Sequence, residues 1–153
     1  MEIKIATLND IEALCPLIIE FFAYNAQLSP VYSFAAIERG DYPKMIIESE
    51  NSDFLIAIRD DDIIGFIHIN QMKTPPYDAI VQYDYAEIMA FMVRVQSRVQ
   101  GVGTLLIESA KEWSKKRNLK YIELVSLKNA KEANIFYDKK DFTVESYIRR
   151  FIL

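Results

Sequence analysis

Glycine is scarce in this chain, and half of it lies in one short turn. The sequence has four glycines among 153 residues, and Gly101 and Gly103 are two of them. They follow an apolar stretch and precede a segment with helical spacing, which predicts a strand-to-helix turn. Glycines let the backbone approach a ligand, and the free N–H groups of a first helical turn favour an anion. Arg98, just before the turn, adds a positive charge suited to phosphate.

Three kinds of phosphate-binding turn compete for this stretch. A Walker A loop needs a lysine after its last glycine, whereas Thr104 follows Gly103 directly. A dinucleotide fingerprint needs a third glycine at the position of Leu106, although Glu123 is placed as a ribose-binding acid would be. The third kind is the pyrophosphate cradle of an acyl-coenzyme A enzyme. An ordinary helix start with flexible glycines also stays open.

The composition limits the class of protein. Hydrophobic residues make up 51% and charged residues 26%, which predicts a folded core. Cys15 is the only cysteine and His68 the only histidine, which excludes an internal disulfide and a zinc finger. We therefore expect no metal. Charges interrupt every apolar run, which predicts no membrane span, and the N-terminus has no apolar signal core. We therefore expect one cytoplasmic domain over residues 1–153.

The spacing of apolar residues predicts the element order β-α-α-β-β-β-α-β-α-β. A strand over 81–95, a helix over 101–117 and a strand over 121–125 are typical of a crossover between parallel strands. Residues 88–93 are apolar throughout, which indicates burial on both faces of the sheet. Residues 142–153 predict one or two terminal strands. The fold class is therefore α/β or α+β, with helices packed on a sheet.

Charge is unevenly distributed along the chain. Residues 1–93 hold 5 lysines and arginines against 15 acids, and residues 94–153 hold 13 against 7. Two explanations of this pattern stay open. One is chance variation of the surface. The other is a pair of ligand sites, with a polyanion bound at the basic part and a cation at the acidic part. Acids near the cation's position argue against a nucleic-acid partner.

At the glycine turn the chain resembles a known family. Residues 98–103 read R-x-x-G-x-G, which resembles motif A of the GCN5-related N-acetyltransferase (GNAT) superfamily. Upstream, residues 91–93 occupy the place of the family's apolar strand triplet. Residues 57–67 are similar to the family's strand-turn-strand, with Gly65 in its second strand. The order and spacing of these pieces carry the resemblance.

The resemblance continues downstream. Residues 132–137 followed by Phe142 are similar to the family's A-x-x-[LF]-Y-x-x-x-G-F signature, so the likeness covers about 54–142. Asp141 stands where the family has glycine, and we expect the turn there to be built differently. Asn129 lies one place from the family's frequent asparagine, so a helix cap is its alternative role.

The resemblance implies a fold, a reaction and partners. The implied fold is a mixed, mostly antiparallel central sheet of six to seven strands flanked by about four helices. The implied reaction is acetyl transfer from acetyl-CoA to a primary amine by direct attack on the thioester. Small-molecule or peptide amines are the expected acceptors, and a possible homodimer completes the partners. The residues implied in cofactor binding are Phe91, Met92, Val93, Arg98, Val99, Gln100, Gly101, Val102, Gly103, Thr104, Asn129 and Asn134.

Two residues match the family's catalytic positions. Tyr137 matches the general-acid tyrosine, since a phenol can protonate a departing thiolate. Glu87 matches the glutamate base of the histone acetyltransferase branch. The alternative for Tyr137 is an aromatic side chain that only packs its helix on the sheet. The alternative for Glu87 is a solvent-facing acid on its strand, with water as the base.

Two other functions stay open for the whole chain. One is an acyl-CoA-binding sensor or partner-binding module without turnover. The other is a nucleotide-binding protein that reads phosphate at the same turn.

Overall fold

A computed structural model describes residues 1–31 and 41–153, with five strands and four α-helices in that part. The strands are β1 (Glu2–Ile5), β2 (Ser52–Arg59), β3 (Asp62–Lys73), β4 (Asp84–Val93) and β5 (Ile122–Leu124). The helices are α1 (Ile11–Leu28), α2 (Asp41–Ile47), α3 (Val102–Lys116) and α4 (Lys131–Asp138). The expectation of about four helices is confirmed.

The strands form one sheet in the order β1-β2-β3-β4-β5. All neighbours are antiparallel except β4 and β5, which are parallel and are connected through α3. The mixed, mostly antiparallel sheet is therefore confirmed, as is the parallel crossover. The predicted six to seven strands are wrong for the described residues, which form five.

The terminal strands predicted over 142–153 are missing. No backbone group of residues 143–153 hydrogen-bonds to a described residue, and no regular structure forms there. Alternating apolar residues give a segment the tendency to be extended, but a strand is stable only beside another strand. Among residues 1–31 and 41–153, no strand lies beside this segment.

The sheet separates two cores. On one face, α1 and α2 cover buried strand residues that include Phe54 and Phe66. On the other face, α3 covers a cluster that includes Ile67 and Ile69. The buried stripe of α3 follows helical spacing in the sequence, and its members are Val102, Leu106, Ala110 and Trp113.

A polar anchor fixes α3 on the sheet. The indole Nε1–H of Trp113 donates to Oδ2 of Asp53 at 2.7 Å, and Arg117 donates to the same oxygen at 3.1 Å. The Arg117 guanidinium also lies 3.9 Å from the centre of the Trp113 ring. Because α3 begins at the glycine turn, this anchor also holds that turn against the sheet.

Strand β4 changes its inward face partway along. Ile88 belongs to the core under α3, whereas Ala90 belongs to the core under α1. The change follows from a bulge opposite β3, where His68 pairs with Ala90 and Ile69 pairs with Ile88. Met89 is the extra residue and is half exposed, so the expected burial on both faces is wrong there.

Two features shape the end of β4. The ladder with β5 stops at the pair Ile88 and Leu124, so no strand of the described part of the chain lies beside the rest of β4 on that side. On the other side, Gly65 of β3 pairs with Val93. A Cβ on Gly65 would lie 2.9 Å from the backbone oxygen of Met92, so only glycine allows this approach.

None of the helices in the described ranges is long and apolar enough to cross a bilayer.

Candidate functional site

A cavity of about 790 Å³ lies where β4 and β5 separate. Phe21, Tyr24 and Asn25 of α1 line it on one face of the sheet, and Phe136 and Tyr137 of α4 line it on the other. The gap between the strands thus connects the two faces. A cavity of this size accommodates a small-molecule ligand.

The glycine turn forms one wall of this cavity. Val99 and Gly101 both adopt left-handed backbone conformations, with φ of 60° and 82°. The first hydrogen bond of α3 runs from the N–H of Leu105 to the oxygen of Gly101. From Val99 to Thr104, no backbone N–H donates to a described residue. These free amides and the helix N-terminus make an anion-binding turn.

Arg98 ties the turn to both neighbouring elements. Its Nε donates to the backbone oxygen of Val93 at 3.1 Å, which caps the end of β4. Its Nη1 lies 3.3 Å from Glu132 of α4, a solvent-exposed pair that stabilises little by itself. The guanidinium therefore sits beside the free amides as a fixed positive charge.

Tyr137 lies in an aromatic cluster that lines the cavity. Its ring centre is 6.2 Å from Phe91 and 5.8 Å from Phe142. Burial raises the pKa of the Tyr137 hydroxyl to about 12, so the phenol is protonated throughout the physiological range. The hydroxyl makes no hydrogen bond to a described residue, which leaves its proton available in the cavity.

Glu87 and its neighbours form an acidic-aromatic patch on the sheet, defined as Tyr85, Glu87, Tyr121 and Glu123. Tyr85 stacks on Tyr121 with ring centres 5.0 Å apart, and Glu87 pairs with Glu123 in the parallel ladder. Burial first, and then the charge of Glu123, raise the pKa of Glu87. Glu87 does not line the cavity, but the next two residues, Ile88 and Met89, do.

The structure brings most of the predicted site residues to the cavity. Those that line it are Phe91, Met92, Val93, Arg98, Val99, Gly101, Gly103, Thr104 and Tyr137. Those that do not line it are Glu87, Gln100, Val102, Asn129 and Asn134.

The side chains away from the cavity have other partners. Gln100 accepts from Arg59 at 2.7 Å, and Val102 is fully buried under α3. Asn134 donates to the backbone oxygen of Leu127 at 3.0 Å and so braces the loop before α4. Gln100 and Val102 could therefore contact a ligand at the turn only through their backbone groups.

The alternative role of Asn129 as a helix cap is wrong, because Ala130 occupies the N-cap position of α4. After the helix, Asp141 itself adopts φ of 64°, a conformation that glycine takes up readily. Aspartate tolerates the left-handed region better than most residues, so this turn forms without glycine.

Sequence reasoning missed the contribution of Phe21 on α1 and of the loop after β5. Phe21, Tyr24, Asn25 and residues 124–127 all line the cavity. The loop had a signal, because ligands gather at the carboxyl ends of parallel strands. For α1 nothing in the helical spacing distinguishes the turn that meets the strand gap from the turns that meet the core.

His68 has a structural environment. It is buried, contacts the Tyr42 hydroxyl through Nδ1, and contacts Oδ1 of Asn70 through Nε2 at 2.8 Å. Burial lowers the pKa of His68 to about 4. Its burial and these contacts give His68 a packing role. Within residues 1–31 and 41–153, no three His, Cys, Asp or Glu side chains cluster as a metal site would require.

Comparisons with known proteins agree with this architecture. The uncharacterized N-acetyltransferase YhdJ of Bacillus subtilis (strain 168) is 33% identical over 76 residues, which are 49% of this chain and 54% of that protein. The chain thus matches about half the length of this curated relative.

Two solved structures share the fold over nearly the whole chain. A tetramutant of the BH1408 protein from Bacillus halodurans superposes with a TM-score of 0.91 at 18% identity and covers 100% of both chains. The aminoglycoside N-acetyltransferase AAC(6')-Iy, in complex with CoA, superposes with a TM-score of 0.76 at 15% identity over 99% of this chain and 93% of that one.

The strongest link is to a family model. The model of the acetyltransferase (GNAT) family matches residues 12–142, a span that includes α1, the glycine turn and α4. The chain therefore belongs to the acetyltransferase (GNAT) family.

Proposed function

We propose that this protein is an N-acetyltransferase that moves the acetyl group of acetyl-CoA to a primary amine. The observation that carries the proposal is the row of free amides from Val99 to Thr104 beside the unpaired edge of β4. Family membership supports the same reaction.

The residues present fit acetyl-CoA. The free amides and Arg98 suit a diphosphate, and a Cβ added at Gly101 would meet no heavy atom within 4 Å, so the space there is open. The edge of β4 from Phe91 to Val93 offers backbone groups to an extended pantetheine arm. When bound, acetyl-CoA supplies an activated acetyl group and a thiol leaving group.

The chain's own residues provide the remaining chemistry. Backbone N–H groups at the open edge of β4 stabilise the oxyanion that develops at the carbonyl. Tyr137 donates a hydrogen bond, and then its proton, to the departing sulfur as the C–S bond breaks. Glu87 accepts the proton that the ammonium must lose before the C–N bond forms. Because Glu87 lies behind the cavity wall, it acts through a water molecule.

The acceptor approaches from the α1 face. Acids and aromatic rings suit a cationic amine, and the acidic-aromatic patch lies next to that end of the cavity. We propose a small-molecule or peptide amine. The acidic charge of this face is unfavourable for nucleic acid. The sequence of residues 24–42 is rich in aromatic side chains, which favours a role in binding the acceptor, and residues 32–40 of this segment lie outside the described residues.

The test is release of CoA thiol from acetyl-CoA in the presence of a panel of primary amines. We expect thiol release that depends on at least one amine, with one acetyl group gained by that amine in mass spectrometry. Acetyl-CoA binding without thiol release for any amine would instead favour an acyl-CoA sensor. A failure to bind acetyl-CoA would reject both functions, and binding of NAD or ATP would then favour a nucleotide-binding protein.

Arg98→Ala tests the position of the diphosphate. Loss of one phosphate contact should weaken acetyl-CoA binding by about tenfold in calorimetry. Lys111→Ala is the matched control, because Lys111 is also a cation, lies on α3, and pairs only with Glu108 at 2.9 Å. Equal affinities for the two variants would place the diphosphate elsewhere.

A further inference from the structure

Asn25 is a buried polar residue that lines the cavity on the α1 side. It lies in the last turn of α1 and is 8% exposed. The other residues that α1 contributes to this wall are aromatic, namely Phe21 and Tyr24. A polar side chain that a fold buries needs hydrogen-bond partners, because burial removes its water. The partners of Asn25 therefore indicate what the cavity can hold.

The nitrogen of the Asn25 carboxamide has a partner in the helix. Its Nδ2 donates to the backbone oxygen of Phe21 at 2.8 Å, one helical turn earlier. Because a backbone carbonyl only accepts hydrogen bonds, this contact decides which atom of the amide faces the helix. The nitrogen faces Phe21, and the oxygen points away from it. The helix thus orients the carboxamide before a ligand binds.

The oxygen of the Asn25 carboxamide has no partner among the described residues. Within residues 1–31 and 41–153, every fully buried side-chain nitrogen or oxygen does have a hydrogen-bond partner. The Oδ1 atom of Asn25 is therefore not sealed in the core and keeps accessible surface, and the cavity is the open space that Asn25 lines. An accessible acceptor on an otherwise buried residue indicates a ligand that donates a hydrogen bond.

The end of α1 adds a negative potential at the same place. The helix has 18 residues, ends at Leu28, and has no lysine or arginine in its last turn. The C-terminal end of a helix carries partial negative charge, which favours a cation and disfavours an anion. Tyr24 also lines the cavity, and the face of its ring attracts a cation. The helix end, the ring and the Asn25 oxygen thus all favour a bound ammonium.

Two carboxylates lie on the same side of the sheet. Ala86 and Ile88 belong to the core under α3, so Glu87 between them points to the opposite side, toward α1. Its ladder partner Glu123 points the same way. The cations that line the cavity in the described ranges belong to the glycine turn and to the end of α4; they are Arg98, Lys139 and Lys140. A carboxylate on the acceptor would therefore meet negative charge on the α1 side.

We propose that Oδ1 of Asn25 binds the ammonium of the acceptor, and that the acceptors are amines without a carboxylate on the carbon that bears the nitrogen. Alkylamines, arylalkylamines and peptide N-termini belong to this class, whereas free α-amino acids do not. The end of α1 and the pair of Glu87 and Glu123 repel an α-carboxylate where Asn25 holds the ammonium. This inference rests on the proposed acetyl transfer and narrows its acceptor.

Matched pairs of amines test the substrate class. The pairs are ethylamine with alanine, phenethylamine with phenylalanine, and histamine with histidine, and the members of each pair differ only by the α-carboxylate. In the assay of CoA thiol release, we expect kcat/KM to be at least about tenfold higher for the member without the carboxylate. Equal values within the pairs, or a preference for the amino acids, would overturn the proposal.

The outcomes separate this inference from the reaction on which it rests. If none of these compounds is acetylated while another amine of the panel is, the proposed function stands and the inference fails. If acetyl-CoA binds and no amine releases its thiol, the proposed reaction fails and the inference fails with it.

Asn25→Leu tests the residue. Leucine has a similar volume and favours a helix, but it lacks the free oxygen. We expect the KM for the accepted amine to rise by about tenfold, while kcat changes by less than about threefold and the Kd for acetyl-CoA stays within about twofold. An unchanged KM would overturn the role of Asn25. Weaker binding of acetyl-CoA in equal measure would show a general disturbance of the cavity, and would also count against it.

Gln27→Leu is the matched control. Gln27 is also a carboxamide in the last turn of α1, but it is exposed and does not line the cavity. All three constants should match those of the wild type. A similar rise of KM in the control would mean that the change acts through the helix and not through the oxygen of Asn25.

Discussion

Glu87 of β4 and Glu123 of β5 are partners in the parallel ladder, so two carboxylates lie side by side on one face of the sheet. The negative charge of Glu123 disfavours ionisation of Glu87. Among the described residues, neither has an ion-pair partner. Burial is the larger cause of the raised pKa of Glu87, and Glu123 adds to it.

This pair predicts a specific pH response. Glu87 works as a base only when deprotonated, so acetyl transfer should fall as the pH drops through its pKa. Glu123→Gln removes the neighbouring charge, lowers the pKa of Glu87, and should move the acid limb of the pH–rate profile to lower pH. Glu87→Gln should abolish that limb and slow the reaction by on the order of 100-fold.

Glu108→Gln is the control for this series, because Glu108 is an exposed acid of α3 that pairs with Lys111. Its profile should match the wild type. If Glu123→Gln leaves the acid limb in place, Glu87 is not the group that titrates.

Tyr137→Phe keeps the aromatic cluster and removes the proton. We expect kcat to fall by on the order of 100-fold, while the Kd for acetyl-CoA stays within about twofold. Tyr77→Phe, in an exposed loop, should leave both constants unchanged. Unchanged turnover in Tyr137→Phe would leave the tyrosine with a packing role only.

Val99 offers a gain of stability. Its φ of 60° is unfavourable for a β-branched residue, and its side chain is fully exposed and therefore packs against nothing. Val99→Gly should raise the free energy of unfolding in urea by about 1 kcal/mol, after the entropic cost of glycine. Val125→Gly, an exposed valine without positive φ, should lower it by a similar amount. A loss of stability in both variants would contradict the strain at Val99.

His68 predicts how stability depends on pH. Its pKa is about 4 in the folded protein against an ordinary value of 6.5, so between these values the unfolded chain binds a proton that the folded chain does not. The contribution of neutral His68 to the free energy of unfolding is complete above pH 6.5 and declines as the pH falls toward 4. Between pH 7 and pH 5 the free energy of unfolding should therefore fall by about 2 kcal/mol.

His68→Gln should reduce that decline in urea titrations at the two pH values, although the variant is less stable at pH 7. Equal declines in the wild type and the variant would mean that His68 is not the responsible group.

Local patterns predicted the elements that depend on local physics. The spacing of Val102, Leu106, Ala110 and Trp113 identified the buried stripe of α3, because helical period and burial are directly coupled. Gly101 identified the turn, since a left-handed residue at a helix start favours glycine. The placement of Tyr137 in the cavity followed from the family motif and not from periodicity.

Features that depend on partners were not predictable. The bulge at Met89 leaves the sequence of β4 as apolar as an unbroken strand, so no period reveals the change of face. Residues 142–153 have the pattern of a strand, but a pattern does not show whether a neighbouring strand exists. Asp141 adopts a left-handed conformation although it is not glycine, because aspartate tolerates that region better than most residues.

The bulge in β4 decides more than which side chains are buried. Ala90 and Met92 leave the α3 core and join the core under α1. The cavity beside this part of β4 has one wall on the α1 side of the sheet and another on the α4 side, so ligands bound beside the two helices would occupy different parts of it.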